Sequence, residues 1–349
     1  MVTIGVDSHK RTHTFVAVDD VGKKVAERTL PATTDGHLDA LGWAQRWPDR
    51  RWAIEDCRHL TRRLESDLLA GGQAVVRVPP RLMAGERRGG RERGKSDPID
   101  ALAVARAALR EPDLPVARLD GVARELRLLV DHREDLVRER TRMQARLRWH
   151  LHELYPELAV APRSLRSHKV FDQLEEKLAG VAGTVARIAR ELVGTIRGLT
   201  VQVNALEKEI AGMVKPLVPT LLALPGCGAL SAAKIVGESA GVSRFKSKAA
   251  YARWNGTAPI PVWSGSTNFR LNRGGNRQVN TALHRIAVTQ IRHGGPGRSY
   301  TDARIAAGDD KTEAIRMLRR RLSDEVFRRL LLDESSTHPA TTAPLQVAA

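Results

Sequence analysis

The chain of 349 residues is long enough for two or three domains and a sizeable core. Apolar residues make up 42% and there are 28 glycines, which excludes wholesale disorder. With 57 Lys and Arg against 40 Asp and Glu the net charge is +17, and two cysteines, Cys57 and Cys227, cannot form a disulfide framework, which fits a reducing cytoplasm.

The first hundred residues alternate strand and helix patterns. Val2–Asp7, Thr14–Val18 and Val25–Leu30 read as strands, Asp35–Trp47 as a helix and Arg51–Ile54 as a fourth strand. Leu60–Leu69 is an amphipathic helix stopped by Gly71-Gly72, and Ala74–Val78 is a fifth strand. A further helix starts at Pro98. The order predicts a mixed sheet with helices on both faces. Met1–Asp7 runs straight into what reads as a strand, so no secretory signal is expected.

Arg81–Lys95 holds six Arg or Lys and four Gly in 15 residues and reads as a flexible basic loop. It serves either as a solvated linker or as a phosphate-contacting arm through Arg87, Arg88, Arg91, Arg93 and Lys95.

From Val122 apolar positions step by threes and fours through Leu126, Leu129, Leu136, Met143, Leu147, Leu151 and Leu154. A second run extends from Leu174 to Ile210. Pro156 and Pro162 separate the two, which predicts an antiparallel helical hairpin with a coiled-coil seam, weakened where Arg133 and Arg140 fall on it. Such an arm mediates dimerisation more often than chemistry. The uncharged stretch Pro216–Ala233 carries three prolines and two glycines, so it reads as core and turn, not as a lipid-facing helix. A helix over Thr312–Leu332 closes the fold, and the polar tail Ser335–Ala349 is expected to be disordered.

Arginine accounts for 45 of the 57 basic residues, in part through codon bias. Codon bias does not place charges. The 63 residues from Ser239 to Thr301 contain no Asp or Glu, where the chain average predicts about seven, and they hold ten Arg or Lys. A single-sign segment of this kind is the footprint of a nucleic-acid partner.

Four carboxylates stand out. Asp7 ends the first strand, Glu55 ends the fourth, and Asp97 and Asp100 flank Pro98 at a helix start. Taken singly they read as strand-end residues and helix caps. Together they suit hard divalent cations, Mg²⁺ with Mn²⁺ as an alternative, which would relieve their mutual repulsion and clamp a phosphodiester.

Ile4-Gly5-Val6-Asp7, Ile54-Glu55 and Ser96-Asp97-Pro98-Ile99-Asp100-Ala101 resemble the D-E-D-D set of an insertion-sequence transposase family. In its C-terminal half the chain is similar to the same family at Leu224-Pro225-Gly226-Cys227-Gly228, Asn255-Gly256-Thr257-Ala258-Pro259, Ser264-Gly265, Arg273-Gly274-Gly275-Asn276-Arg277 and Asn280 to His284. The resemblance covers roughly residues 1–330. It implies a ribonuclease H-like domain, similar to Holliday-junction resolvases, over residues 1–115. A helical coiled-coil dimerisation hairpin over 116–214, a mostly α serine transposase domain over 215–334 and a tail over 335–349 would follow.

The resemblance further implies guidance by a structured bridge RNA, donor and target DNA as substrates, a dimer or tetramer, and a cytoplasmic, nucleoid-associated location with no membrane. It makes Ser264 the nucleophile of a covalent serine–DNA link, with Ser266 as runner-up, because Trp263 replaces the first of two serines often found before the glycine. Arg270, Arg273 and Arg277 would neutralise the phosphate. His284 reads as packing or a phosphate contact, and Pro225–Gly228 as the hairpin of a helix–hairpin–helix element. The rival readings are a metal-dependent junction endonuclease without a covalent step and a non-enzymatic basic DNA-binding protein.

Overall fold

The computed structural model describes residues 1–56, 58–89, 96–111, 114, 116–117, 121–158, 160–161, 163–264, 266–272 and 274–337, with the backbone alone at 58–59, 81, 88–89, 263–264, 266–270 and 337. The chain divides into two compact units, Met1–Leu119 and Asp120–Ala349.

In the first unit the elements follow the alternation read from the sequence. They are β1 (Val2–Ser8), β2 (Thr12–Val18), β3 (Lys24–Pro31), α1 (Thr34–Ala44), β4 (Arg50–Glu55), α2 (Arg58–Ala70), β5 (Val75–Val78), α3 (Pro80–Gly89) and α4 (Asp97–Arg110). The sheet order is β3-β2-β1-β4-β5. β1 pairs antiparallel with β2 and parallel with β4, so the first and fourth strands are neighbours.

Both faces of the mixed sheet are covered. Ile4, Val6, Phe15, Ala17, Trp52 and Ile54 form one core with Trp43, Leu64 and Leu68 of α1 and α2. On the other face Val16 and Val18 pack against Ala101 and Ala105 of α4. The period of two along β1 puts Gly5 and Asp7 on this second face.

Arg81–Lys95 reads as a flexible loop, yet its first part belongs to α3. Pro80 takes the first helical position, and Leu82 and Met83 pack against a buried cluster of Val78, Val104 and Ala107. The apolar pair outweighs the glycine and arginine content. Residues 90–95, with Arg91, Arg93 and Lys95, lie outside the described residues.

The second unit begins with α5 (Gly121–Leu154), α6 (His168–Ala179) and α7 (Thr184–Leu217). α5 packs along α7. The second apolar run, expected as one helix, is split at residues 180–183, where Gly183 sits at φ 102°. Leu147, Leu151, Phe171, Leu174 and Ile196 form a core of their own. Leu126, Val130, Ile210 and Val214 instead join the core of the helices that follow.

Those helices are α8 (Pro219–Leu222), α9 (Ala229–Ser239), α10 (Lys248–Trp254), α11 (Arg277–Arg292), α12 (Pro296–Ala306) and α13 (Lys311–Thr337). Between α10 and α11, in the part expected to be mostly α, an antiparallel ribbon forms from β6 (Ile260–Ser264) and β7 (Ser266–Arg270). α13 runs five residues past the expected Leu332, and residues 338–349 are outside the described set. Among the described residues no helix is long and apolar enough to cross a membrane.

Candidate active site

The position of α4 is dictated by a missing side chain. A Cβ on Gly5 would lie 2.1 Å from the Ala101 carbonyl oxygen. Glycine in β1 thus lets the helix backbone rest on the strand. One turn toward its N-terminus, α4 then presents Asp97 and Asp100 where Asp7, two residues beyond Gly5, emerges on the same face.

Asp7 and Asp100 are buried, whereas the side chains of Asp97 and His9 are half exposed. His9 Nε2 lies 3.1 Å from Asp7 Oδ2 and 3.3 Å from Asp97 Oδ1. One ligand atom from each of Asp7, His9 and Asp97 falls within 4.8 Å of the others. Burial holds the Asp7 carboxyl above its ordinary range; His9 opposes this, while Asp100 and Asp97 add to it. Asp100 accepts a hydrogen bond from Arg87 Nη1 at 2.9 Å. Glu55 follows Ile54, the partner of Val6 in the parallel pair, so it stands level with Asp7 on the adjacent strand.

A divalent cation fits this donor set. Carboxylate oxygens suit Mg²⁺, the imidazole widens the choice to Mn²⁺, and a buried carboxylate with a raised pKa gains from any added positive charge. His9 escaped the sequence reading: nothing in Asp7-Ser8-His9 marks it until α4 brings Asp97 alongside.

The predicted C-terminal residues lie in the second unit. Ser264 ends β6 and its Cα partner is Ser266 of β7, so both candidate serines sit at the tip of the ribbon. Arg270 ends β7, opposite Ile260. Arg273 is outside the described residues. Arg277 is exposed at the first position of α11, and Asn276 caps that helix by accepting from the Gln278 and Val279 amides. Arg87 is engaged by Asp100; the Arg88 side chain is not described. The Pro225–Gly228 turn joins α8 to α9. Gly226, at φ +80°, seats it against α11, where a Cβ would meet the Ile286 carbonyl at 2.9 Å. Cys227 is buried there, its thiol pushed up to about 12 by burial.

A mixed α/β unit with an acidic centre at its strand ends is thus followed in the chain by a mostly helical unit that holds the acid-free basic segment. Two family models match this chain: one described as Transposase, of the DEDD type of IS110, matches residues 4–156, and one described as Transposase IS116/IS110/IS902 family matches residues 218–302. The chain belongs to this transposase family, whose members are DNA-acting enzymes.

Relatives span its whole length. The insertion element IS116 uncharacterized 44.8 kDa protein of Streptomyces clavuligerus is 27% identical, covering 97% of this chain and 96% of that protein. The insertion element IS900 uncharacterized 42 kDa protein of Mycobacterium paratuberculosis is 28% identical over 98% of each. Among solved structures, T. thermophilus RuvC in complex with Holliday junction substrate matches at 14% identity and TM-score 0.27, covering 34% of this chain and 99% of that one.

Proposed function

We propose that the chain is an RNA-guided DNA recombinase that cuts and rejoins strands through a covalent serine–DNA intermediate. The observation that supports this most is the convergence of Asp7, His9 and Asp97 under a helix seated on Gly5. Asp7 and Asp97, with Asp100 and Glu55 beside them, would hold Mg²⁺ or Mn²⁺. When bound, the cation neutralises the carboxylates and draws charge from a phosphodiester.

Ser264 is the proposed nucleophile. Its Oγ forms a bond to phosphorus, its proton passes to a base or solvent, and the departing sugar oxygen takes up a proton. Attack by a new strand's hydroxyl then releases the serine. The ester keeps the energy of the broken bond, which water attack would discard. Arg270, Arg273 and Arg277 would bind phosphates along the strand. The 63-residue acid-free segment supports a guide RNA as second partner, with target sequence read by base pairing. The long α5 and α7 helices are the proposed dimerisation arm.

A second reading, a metal-dependent junction endonuclease, is favoured by the fact that the carboxylate centre lies wholly in the first unit and needs no serine for water attack. Trapping on a nicked substrate separates the two. A denaturant-resistant protein–DNA adduct, lost in Ser264→Ala and kept in Ser266→Ala, is expected. An adduct lost only in Ser266→Ala shifts the nucleophile by two residues, and Mg²⁺-dependent cleavage with no adduct favours the endonuclease. Sequencing the copurifying nucleic acid tests guidance: one discrete structured RNA is expected, and a smear of fragments dispensable for activity overturns it.

A further inference from the structure

The root of the β6–β7 ribbon opens into a cavity of about 470 Å³ whose lining includes Asn255, Gly256, Asn272, Arg277, Asn280 and Arg319. One wall is bare backbone. A Cβ on Gly275 would fall 2.3 Å from the Gly256 Cα, so the two glycines pack main chain against main chain.

Arg319, on α13, is aimed by a chain of hydrogen bonds. Its Nη1 donates to Asn280 Oδ1 at 2.7 Å, and Asn280 Nδ2 donates to the Asn255 carbonyl at 3.0 Å. Asn255 is itself fully buried and donates to Ser323 Oγ at 2.8 Å. The Asn280 amide is thus committed at both ends and cannot flip.

What the chain of bonds holds is a charge without a counterion. Neither Arg319 nor Arg277 has a carboxylate partner among the described residues, and Arg319 Nε is buried with no hydrogen-bond partner among them. Burial and nearby Arg316 push the Arg319 pKa down, and burial together with Arg319 does the same to His284. Burial is the larger cause in both; the smaller contributions of Arg316 and Arg319 reflect positive charge gathered beside the cavity. Arg319 is half-buried, and a guanidinium whose buried Nε has no partner and which faces no carboxylate is suited to an anion that would complete it.

We propose that this cavity grips one backbone phosphate of the DNA strand being recombined, with Arg319 and Arg277 as its cationic jaws. The described lining offers no aromatic ring on which a base would stack, so the backbone is what it recognises. Its place assigns the strand. The ribbon leaves the cavity at Gly256 and returns at Leu271, and its tip carries Ser264. From the Ile260–Arg270 pair to that tip is four residues, about 13 Å at ~3.3 Å each. That corresponds to about four nucleotides at ~3.4 Å of rise, so the gripped phosphate registers the strand a few nucleotides from the attacked bond. This last step rests on Ser264 being the nucleophile; the phosphate site does not.

The test uses the full chain and equilibrium binding to a fluorescein-labelled DNA duplex and to a single-stranded RNA, across about 50 to 200 mM salt. Arg319→Gln is expected to weaken DNA binding and to lower the slope of log K against log salt by about 0.9, the loss of one phosphate contact. Asn280→Asp, which places a carboxylate on Arg319 without removing it, is expected to give the same change in slope, and it decides the matter if Arg319→Gln fails to melt cooperatively. Unchanged slopes in the folded variants would overturn the phosphate site. A loss confined to RNA would overturn its assignment to DNA. No strand is cut in the assay, so its outcome is independent of adduct formation by Ser264.

Discussion

Gly5 and Ala101 stand backbone against backbone: a Cβ on Gly5 would lie 2.1 Å from the Ala101 carbonyl oxygen and 2.5 Å from the Ala105 amide nitrogen. This contact sets the height of α4 over β1, and with it the distance from Asp97 to Asp7 and His9. Gly5→Ala is therefore expected to lift α4, at a cost of about 3 kcal/mol from overpacking against main chain. Metal-dependent strand cleavage should fall more than 100-fold, because a shift near 1 Å misplaces the reacting groups. Thermal melting with and without Mg²⁺, alongside cleavage assays, reads both effects. A variant with native melting and full activity would show that α4 is not positioned by this contact.

Metal removal should be visible without any reaction. Burial, Asp100 and Asp97 make an ionised Asp7 unwelcome in the metal-free fold. A raised carboxyl pKa means that Asp7 opposes folding once it ionises above its ordinary value. Asp7→Asn is expected to melt higher than the wild type when both are treated with chelator. Mg²⁺ or Mn²⁺ at about 100 times Kd should stabilise the wild type by about 2.7 kcal/mol and the variant hardly at all. Equal stabilisation of both would place the cation elsewhere.

The strands of the first unit were legible in sequence because they rest on local signals, whereas the grouping of Asp7 with Asp97 came from the family resemblance. Alternating apolar residues mark β1, β2 and β4, and Pro98 after Asp97 marks a helix start. His9 and Arg319 were not legible. Each gains its role from an element distant in the chain, α4 for His9 and the Asn255–Asn280 bond for Arg319. α3 was hidden by composition, since six basic residues and four glycines masked the two apolar side chains that anchor it. The apolar period likewise runs through Gly180–Gly183 without registering the positive φ that ends the helix there.

Arg133 and Arg140, read as weak points of the seam, meet different fates. Arg133 Nε donates to Glu207 Oε1 at 3.0 Å across the helix pair. Arg140 is 4% exposed and has only a 3.3 Å bond to Thr200 Oγ1 among the described residues. Burial, Arg166 and Arg133 lower its pKa, with Glu207 alone opposing them. Arg140→Leu is expected to stabilise the chain by about 1 to 4 kcal/mol, as when an imperfectly compensated buried charge is exchanged for an apolar side chain. Urea unfolding measures it. Destabilisation would mean that Arg140 finds a partner, a second copy of the arm being the first to examine.

His13 supplies a further pH dependence in the first unit. Its ring is 3% exposed and stacks on His37, with centroids 5.2 Å apart. His37 is itself buried and held by Asp67, with 2.5 Å between His37 Nδ1 and Asp67 Oδ2. Burial lowers the His13 pKa to about 4, and the charges of His37, His9 and Arg63 push the same way. Between pH 6.5 and 4 the unfolded chain thus binds a proton at this position that the folded chain refuses. Stability must then rise with pH across that window, being complete above the unfolded value and lost progressively below it. The full span is about 3 kcal/mol, at ~1.4 kcal/mol per pH unit, and the loss levels off once the folded form also protonates. Carboxylates titrate in the same range, so the comparison is with His13→Phe, which keeps a ring against His37 and removes the titration. Denaturant midpoints of the two proteins should diverge as pH rises from 4 to 6.5, the wild type gaining about 3 kcal/mol relative to the variant. A difference that stays flat would mean that His13 is protonated within the fold and carries a counterion there.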